Sequence, residues 1–232
     1  MMATEQKFAY KVSYENYAID LEKVYYHKLA RAIKTFSPNP KGRLLDIGCW
    51  DGTFAAQFIR ERECHGIEGN LEACGLANEK GVLAQGVDIE KGLPFQNDFF
   101  DCVVAAEIIE HVYDTDAFLR EIRRVLAPGG ILAMSIPNIA CLSNRVAMLF
   151  GGYPRYAEYK AGGAGHIRVY TATVIKKQLI ENDFDVVHYV GCNLPMPMHS
   201  RFIPRWVKKI SVRLGDFFPT ISGQTVLAGI KR

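Results

Sequence analysis

The sequence predicts a doubly wound α/β fold, a largely parallel sheet with helices on both faces, built as one domain. Three observations predict it. Short apolar runs alternate with stretches of helical period and are joined by short loops. Asp101–Ala106 is apolar on both faces, as a strand buried inside a parallel sheet must be. A turn carrying Gly48 and Gly52 links the first apolar run to the stretch behind it, where such folds place ligands.

Taken in order, residues 1–40 read as a helical cap and Arg43–Ile47 as the first strand, stopped by Gly48. Thr53–Arg62 reads as a helix with Phe54 and Phe58 on one face, and Cys64–Glu68 as the second strand. Leu71–Lys80 is a helix ended by Gly81, Val82–Asp88 a third strand and Asp101–Ala106 a fourth. Thr115–Ala127 carries Phe118, Ile122, Val125 and Leu126 at helical spacing until Pro128-Gly129-Gly130 ends it. Ile131–Ile136 is the fifth strand, and Thr171 caps a helix running to Asn182. Strands over Phe184–Val190 and Val226–Ile230 complete the chain, with no internal repeat or low-complexity segment.

The 232 residues, 49% hydrophobic and 23% charged, suffice for a large core and exclude a disordered chain or a disulfide scaffold. Six scattered cysteines without a C-x-x-C indicate neither a zinc clip nor a thioredoxin-like pair and fit a reducing, cytoplasmic compartment. The opening residues MMATEQKFAYKVSYENY lack the apolar core of a secretory leader. Pro137, Asn138, Asn144 and Arg145 interrupt the apolar window Ile131–Phe150, so no membrane span is expected there. Charge is uneven: residues 195–232 hold seven basic side chains and one acid, Asp216, against 21 basic and 24 acidic elsewhere. A local anionic partner is expected, not a nucleic acid.

Three acids end the first three strands: Asp46, Glu68 and Asp88. The turn Gly48-Cys49-Trp50-Asp51-Gly52 can bring backbone N–H groups close to a polar ligand. Glu68, twenty residues past Gly48, can accept both ribose hydroxyls of an adenosine, while Asp88 and Ile89 can meet the adenine. A dinucleotide would want G-x-G-x-x-G, but Trp50 and Thr53 break that pattern, and no phosphate-binding P-loop occurs. An adenosine ligand without a pyrophosphate fits better.

LLDIGCWDGTF, GIEGN, GVDIEKGLPFQNDFFDCVVAAEIIEHV and RRVLAPGGILAMSIPN, in this order, resemble the motifs of class I S-adenosylmethionine-dependent methyltransferases. Within that superfamily they are similar to the small-molecule group that includes the ubiquinone-biosynthesis O-methyltransferases and MetW. The resemblance covers residues 43–138. It implies a Rossmann-like sheet of seven strands in the order 3-2-1-4-5-7-6, strand 7 antiparallel. It also implies that Asp46, Gly48, Cys49, Trp50 and Gly52 hold the methionine part of S-adenosyl-L-methionine. Glu68 and Gly69 would hold the ribose, Asp88 and Ile89 the adenine, with Ala106 at the end of the fourth strand. Trp50 departs from the small residue usual in the family, so its side chain must leave the turn or narrow the pocket.

Glu107, Glu110 and His111 follow the fourth strand as E-x-x-E-H. In a helical turn they share one face at the carboxyl edge of the sheet. Three readings stand: a general base for an acceptor hydroxyl, a divalent-metal site completed by His166, or a structural hydrogen-bond network. The resemblance offers precedents for the metal reading and for family members without metal; the residues are assigned here to catalysis, with no metal.

Residues 151–170, with five Gly and four Tyr, read as a lid over the acceptor. Residues 195–222 form a basic insertion before the last strand. Within it, Ile203, Trp206, Val207, Ile210, Leu214 and Phe217 recur at helical spacing opposite Arg205, Lys208, Lys209 and Arg213. Such a helix over 201–218 can pack on the sheet, cap the substrate or touch a membrane surface transiently.

The expected activity is methyl transfer to a small-molecule or lipid-linked acceptor, at oxygen, with His111 or His166 removing the acceptor proton. A DNA amino-methyltransferase is disfavoured, because the fourth strand runs into Ala-Ala-Glu107 and not into the Asn/Asp-Pro-Pro-aromatic run those enzymes carry. The alternatives are a non-catalytic S-adenosylmethionine-binding sensor or partner subunit, and a nucleotide-dependent oxidoreductase.

Overall fold

The computed structural model describes residues 19–157, 165–195 and 203–232. Seven strands form one sheet in the order β3-β2-β1-β4-β5-β7-β6. These are β1 Leu44–Ile47, β2 Cys64–Glu68, β3 Leu83–Gly86, β4 Phe100–Ala106, β5 Leu126–Pro137, β6 Phe184–Gly191 and β7 Gln224–Lys231. β1 to β5 pair in parallel, whereas β7 runs antiparallel between β5 and β6.

β1 is buried along its whole length, so alternate side chains feed two cores. Leu45 and Ile47 join Val103, Leu132 and Met134 on one face, beneath α3 (Thr115–Val125) and α5 (Ala172–Glu181). Leu44 joins Cys102, Val104, Ile131 and Ala133 on the other, with Leu29 and Ile33 of α1 (Val24–Phe36). Each such large side chain removed from water contributes roughly 1.5–3 kcal/mol.

The helices start where local chemistry caps them. Asn70 accepts the N–H groups of Glu72 and Ala73 ahead of α2 (Leu71–Glu79). Asp114 accepts that of Ala117 ahead of α3, and Thr171 that of Val174 ahead of α5. Of the expected cap over residues 1–40, α1 is seen, and residues 1–18 lie outside the described residues.

Three elements depart from expectation. The helix expected over Thr53–Arg62 is a four-residue 3-10 turn, Ala55–Phe58. There the Phe54 carbonyl accepts both the backbone N–H and the side-chain amide of Gln57, which ties it one residue short of an α-helical partner. Phe54 and Phe58 are nonetheless both buried, as their spacing demands. Pro128-Gly129-Gly130 does not separate a helix from a strand: α3 ends at Val125 and β5 already begins at Leu126. The turn residues form a bulge between the pairings Phe100–Leu126 and Cys102–Ile131. Proline, which cannot donate to a ladder, is accommodated there.

The third departure concerns the basic helix, here α6 (Arg205–Phe217). Packing on the sheet through the apolar stripe is not what occurs. The buried side is Ser211 and Gly215, where a Cβ on Gly215 would lie 2.9 Å from the backbone of Gly191, Cys192 and Asn193. Ser211 donates to the Leu194 carbonyl at 2.8 Å, and Lys28 of α1, itself buried, donates to Asp216 and the Gly191 carbonyl at 2.6 Å each. Small residues allow the close approach, and that approach turns Trp206, Ile210 and Phe217 outward.

Candidate active site

The turn after β1 is shaped by backbone constraints. Gly48 and Gly52 both sit at φ +71°. A Cβ on Gly48 would fall 2.2 Å from Ile108 Cδ1, and one on Gly52 2.9 Å from the Ala77 backbone. Trp50, between them, takes a left-handed φ of 50°, at a cost of about 1–2 kcal/mol for a residue with a Cβ. Its backbone N–H donates to Glu68 Oε2 at 3.1 Å, while Asn70 N–H donates to Oε1 at 3.1 Å. Glu68 therefore joins the turn after β1 to the turn after β2. Gly69 beside it leaves open space where a Cβ would be. Cys49 is buried, its sulfur filling the room left by Gly66, and burial raises its thiol pKa.

Asp46 is buried at the end of β1, and desolvation together with the Glu68 charge pushes its carboxyl up to about 8. A carboxyl in that state is stabilised as an anion by an incoming cation. Asp88 is exposed two residues past β3; it accepts the Glu90 N–H as a helix cap and pairs with Lys91 at 3.1 Å. Ile89 packs on the core beside it. A cleft of about 440 Å³ behind Asp88, lined by Gln85, Leu93 and Glu121, includes none of the other expected site residues.

Ala106 ends β4 and the E-x-x-E-H run follows. The expected helical turn is only a 3-10 turn, Ile109–His111, and Glu107 precedes it at φ 56°. The three residues consequently do not share one helix face. Glu107 reaches sideways across the sheet, and its Oε2 accepts the side-chain amide of Gln224 at 2.8 Å. Glu110, His111 and His166 come together instead: one potential ligand atom from each lies within 4.8 Å of the others. The two imidazole rings meet edge to face at 5.0 Å, and His166 Nε2 lies 4.0 Å from Glu110 Oε1.

Both histidines are oriented by main-chain carbonyls. His111 Nδ1 lies 3.2 Å from the Gly165 oxygen and His166 Nδ1 3.2 Å from the Tyr156 oxygen. Donation from each Nδ1–H leaves Nε2 carrying the lone pair, the tautomer of a base or a metal ligand. Glu107 Oε1 and both Glu110 oxygens are buried without a hydrogen-bond partner among the described residues. Burial raises the pKa of both, and burial with the neighbouring Glu107 charge pushes Glu110 up to about 9. Such a set can keep a proton, relay one, or bind a divalent cation.

Sequence reasoning missed Gln224, which stands 117 positions from Glu107 and reaches it only because β7 inserts beside β5. It also missed the carbonyls of Tyr156 and Gly165, for main-chain groups leave no mark in composition. Residues 158–164 of the expected lid lie outside the described residues, as do 196–202 ahead of α6. Beside Gln224 a cavity of about 510 Å³ is bounded by Cys141, Ser143 and Arg155 on one side and Lys208, Ser211 and Val212 on the other.

Comparison with known proteins places this geometry in context. A family profile described as a methyltransferase domain matches residues 17–189. A ubiquinone biosynthesis O-methyltransferase of Bradyrhizobium sp. is 30% identical over 71% of this chain and 64% of its own length. A norajmaline N-methyltransferase of Rauvolfia serpentina is 38% identical over 40% of this chain and 35% of its own length. A ubiquinone/menaquinone biosynthesis C-methyltransferase of Pectobacterium carotovorum is 34% identical over 63% and 68%. The chain thus spans between about a third and two thirds of the curated relatives it matches. Among solved structures, a Thermotoga maritima protein described as a possible histamine N-methyltransferase superposes with a TM-score of 0.64 at 19% identity, over 90% of this chain and 92% of that one. The [4+2]-cyclase SpnF superposes at 0.59 and 20% identity, over 89% and 80%. At such identities the likeness is one of fold.

Proposed function

This chain belongs to the class I S-adenosylmethionine-dependent methyltransferases, and on that premise we propose that it methylates an oxygen of a small-molecule or lipid-linked acceptor. The observation that carries the reading is the pair of imidazoles, each with Nδ1 fixed by a main-chain carbonyl so that Nε2 is the basic atom.

The cofactor fits the cradle. Glu68, already held by two amides, would accept the ribose hydroxyls over the open space at Gly69. The turn Gly48–Gly52 would follow the methionine part, its ammonium offsetting the buried Asp46 carboxylate. Asp88 would exchange its cap for the adenine amino group, with Ile89 against the ring. S-adenosylmethionine supplies an electrophilic methyl carbon on a positively charged sulfur. The chain's part is to align the acceptor with that carbon, exclude water and remove a proton. His111 or His166 accepts the hydroxyl proton at Nε2, and the imidazolium that results passes it on to solvent after methyl transfer, with the protonated Glu110 lying beside the pair. Burial first, and the neighbouring Glu107 second, keep Glu110 from ionising in the resting state, and Gln224 steadies Glu107 there.

Relatives named for O-, N- and C-methyl transfer leave the acceptor atom to the site's own chemistry. Oxygen is favoured because a neutral hydroxyl is a weak nucleophile that needs its proton drawn off as it attacks, whereas an amine attacks through its lone pair unaided, and two imidazoles stand ready as base. Six free cysteines suit a cytoplasmic site of action, and among the described residues no helix is long and apolar enough to cross a membrane.

The test is a screen with methyl-labelled S-adenosylmethionine against hydroxylated acids, phenols and detergent-dispersed prenyl phenols. Acceptor-dependent label transfer to oxygen is expected. Tight S-adenosylhomocysteine binding without transfer to any acceptor would instead support a non-catalytic sensor.

A further inference from the structure

α6 presents to solvent the side chains that an amphipathic helix normally hides. Trp206 is 65% and Phe217 76% exposed, and Ile210 and Leu214 lie between them on the same stripe. Residues 206, 210, 214 and 217 recur at three- and four-residue steps, with Lys209 and Arg213 along one edge of the stripe. The helix's one acid, Asp216, is paired with Lys28, so the exposed cations have no acidic counterpart on this helix. Close packing of Ser211 and Gly215 fixes this orientation. A second apolar surface, Leu149 and Phe150 at the end of α4 (Leu142–Leu149), is 81% and 86% exposed. α4 is tied to the loop after α6 by Arg145, which donates to the Thr220 carbonyl at 3.0 Å. The cavity beside Gln224 lies between the segments that carry these two surfaces.

We propose that α6 docks on the surface of an anionic lipid bilayer. Its Trp206–Phe217 stripe enters the boundary between headgroups and acyl chains, and Lys209 and Arg213 meet lipid phosphates. Charge complementarity selects this occupant: an apolar stripe edged by cations is what an anionic interface attracts, and aromatic residues favour that depth. The helix is thirteen residues long, so it lies on the bilayer and does not cross it. Docking would place the cavity near the interface, where a lipid-linked acceptor resides; this last step rests on the function proposed above, the docking itself does not.

The experiment is co-sedimentation of the full chain with vesicles of phosphatidylcholine alone or with 30% phosphatidylserine, at low and at 0.5 M salt. At least tenfold stronger binding to the anionic vesicles is expected, weakened by salt. Trp206→Ser with Phe217→Ser, and separately Lys209→Glu with Arg213→Glu, should each lower that binding at least tenfold. Unchanged S-adenosylhomocysteine affinity in both variants would show that they fold. Equal binding to both vesicle types, no binding to either, or variants that bind like the parent would overturn the proposal. So would a dimer, seen by light scattering, that Trp206→Ser with Phe217→Ser dissolves, since the face would then belong to a second copy. Vesicle binding without methyl transfer would leave docking standing and sink the acceptor reading alone.

Discussion

Glu68 holds the backbone N–H of Trp50 at 3.1 Å and so couples two loops that the sequence separates by a turn, a 3-10 segment and a strand. A carboxylate bonded to two amides is fixed before any ligand arrives. Glu68→Gln keeps the size and loses the charge, so it should weaken S-adenosylhomocysteine binding by about 10- to 100-fold, as expected for a charge-assisted bond worth roughly 1.5–3 kcal/mol. Calorimetry measures this directly, and unchanged affinity would remove Glu68 from the cofactor site.

Gly48 and Gly69 should respond differently to a single methyl group. Gly48→Ala must accept φ +71° and displace Ile108, so it should lower stability by about 1–3 kcal/mol, read as a fall in Tm. Gly69→Ala meets no protein atom within 4 Å and should leave Tm unchanged while reducing cofactor affinity. A Gly69→Ala variant that binds normally would place the ribose elsewhere.

His111→Ala and His166→Ala should leave S-adenosylhomocysteine binding within about twofold of the parent. Loss of the operating general base should lower turnover by roughly 10²- to 10⁴-fold. Single-turnover kinetics on each variant identifies which imidazole takes the proton. If neither variant slows methyl transfer, acid–base chemistry here is wrong.

Stability of the cofactor-free protein should fall as pH rises. Glu110 titrates near 9 when folded but near 4.5 as a free side chain, so between those values the folded state binds more protons. Its stabilising contribution is therefore present below about pH 4.5 and lost as pH climbs toward 9, and Asp46 adds the same trend between 3.8 and about 8. Glu110→Gln should flatten the decline and raise Tm at pH 8, each kcal/mol counting for about 2–4 °C in a chain of this size. A pH-independent Tm for the parent would show that the carboxyl is ionised in the folded state.

Asp46 also links pH to ligand affinity. If the cofactor's ammonium meets it, binding ionises the carboxyl and releases a proton, so affinity should rise with pH up to about 8. Calorimetry at pH 7 in buffers of different ionisation enthalpy reports the proton, and no buffer dependence would move the methionine part away from Asp46.

The sheet and its central site were legible because burial on both faces leaves a strong trace: Leu44–Ile47 and Phe100–Ala106 cannot be read as anything but inner strands. Asp46 and Glu68 stand out in the sequence because strand ends are visible where apolar runs stop, and Glu110 because it belongs to the E-x-x-E-H run that follows β4. What stayed hidden depends on partners remote in sequence. Glu107 was grouped with Glu110 and His111 by spacing, yet its left-handed backbone turns it toward Gln224, which only β7 pairing supplies. The orientation of α6 was equally invisible, for the apolar pattern favours burial of Trp206 and only the close seat at Gly215 and the Lys28 anchor reverse it. Lys28 itself gave no warning, since one lysine in an amphipathic helix looks like any solvated one.

The placement of β7 has a further consequence for biogenesis. Emerging from the ribosome, β5 and β6 have no partner on their facing edges until residues 224–231 arrive to fill the gap between them. A nascent chain stalled before that point would display two unsatisfied ladders and lack the amide that steadies Glu107, making it a target for chaperones. Closure of the sheet by β7 and the steadying of Glu107 by Gln224 would thus coincide.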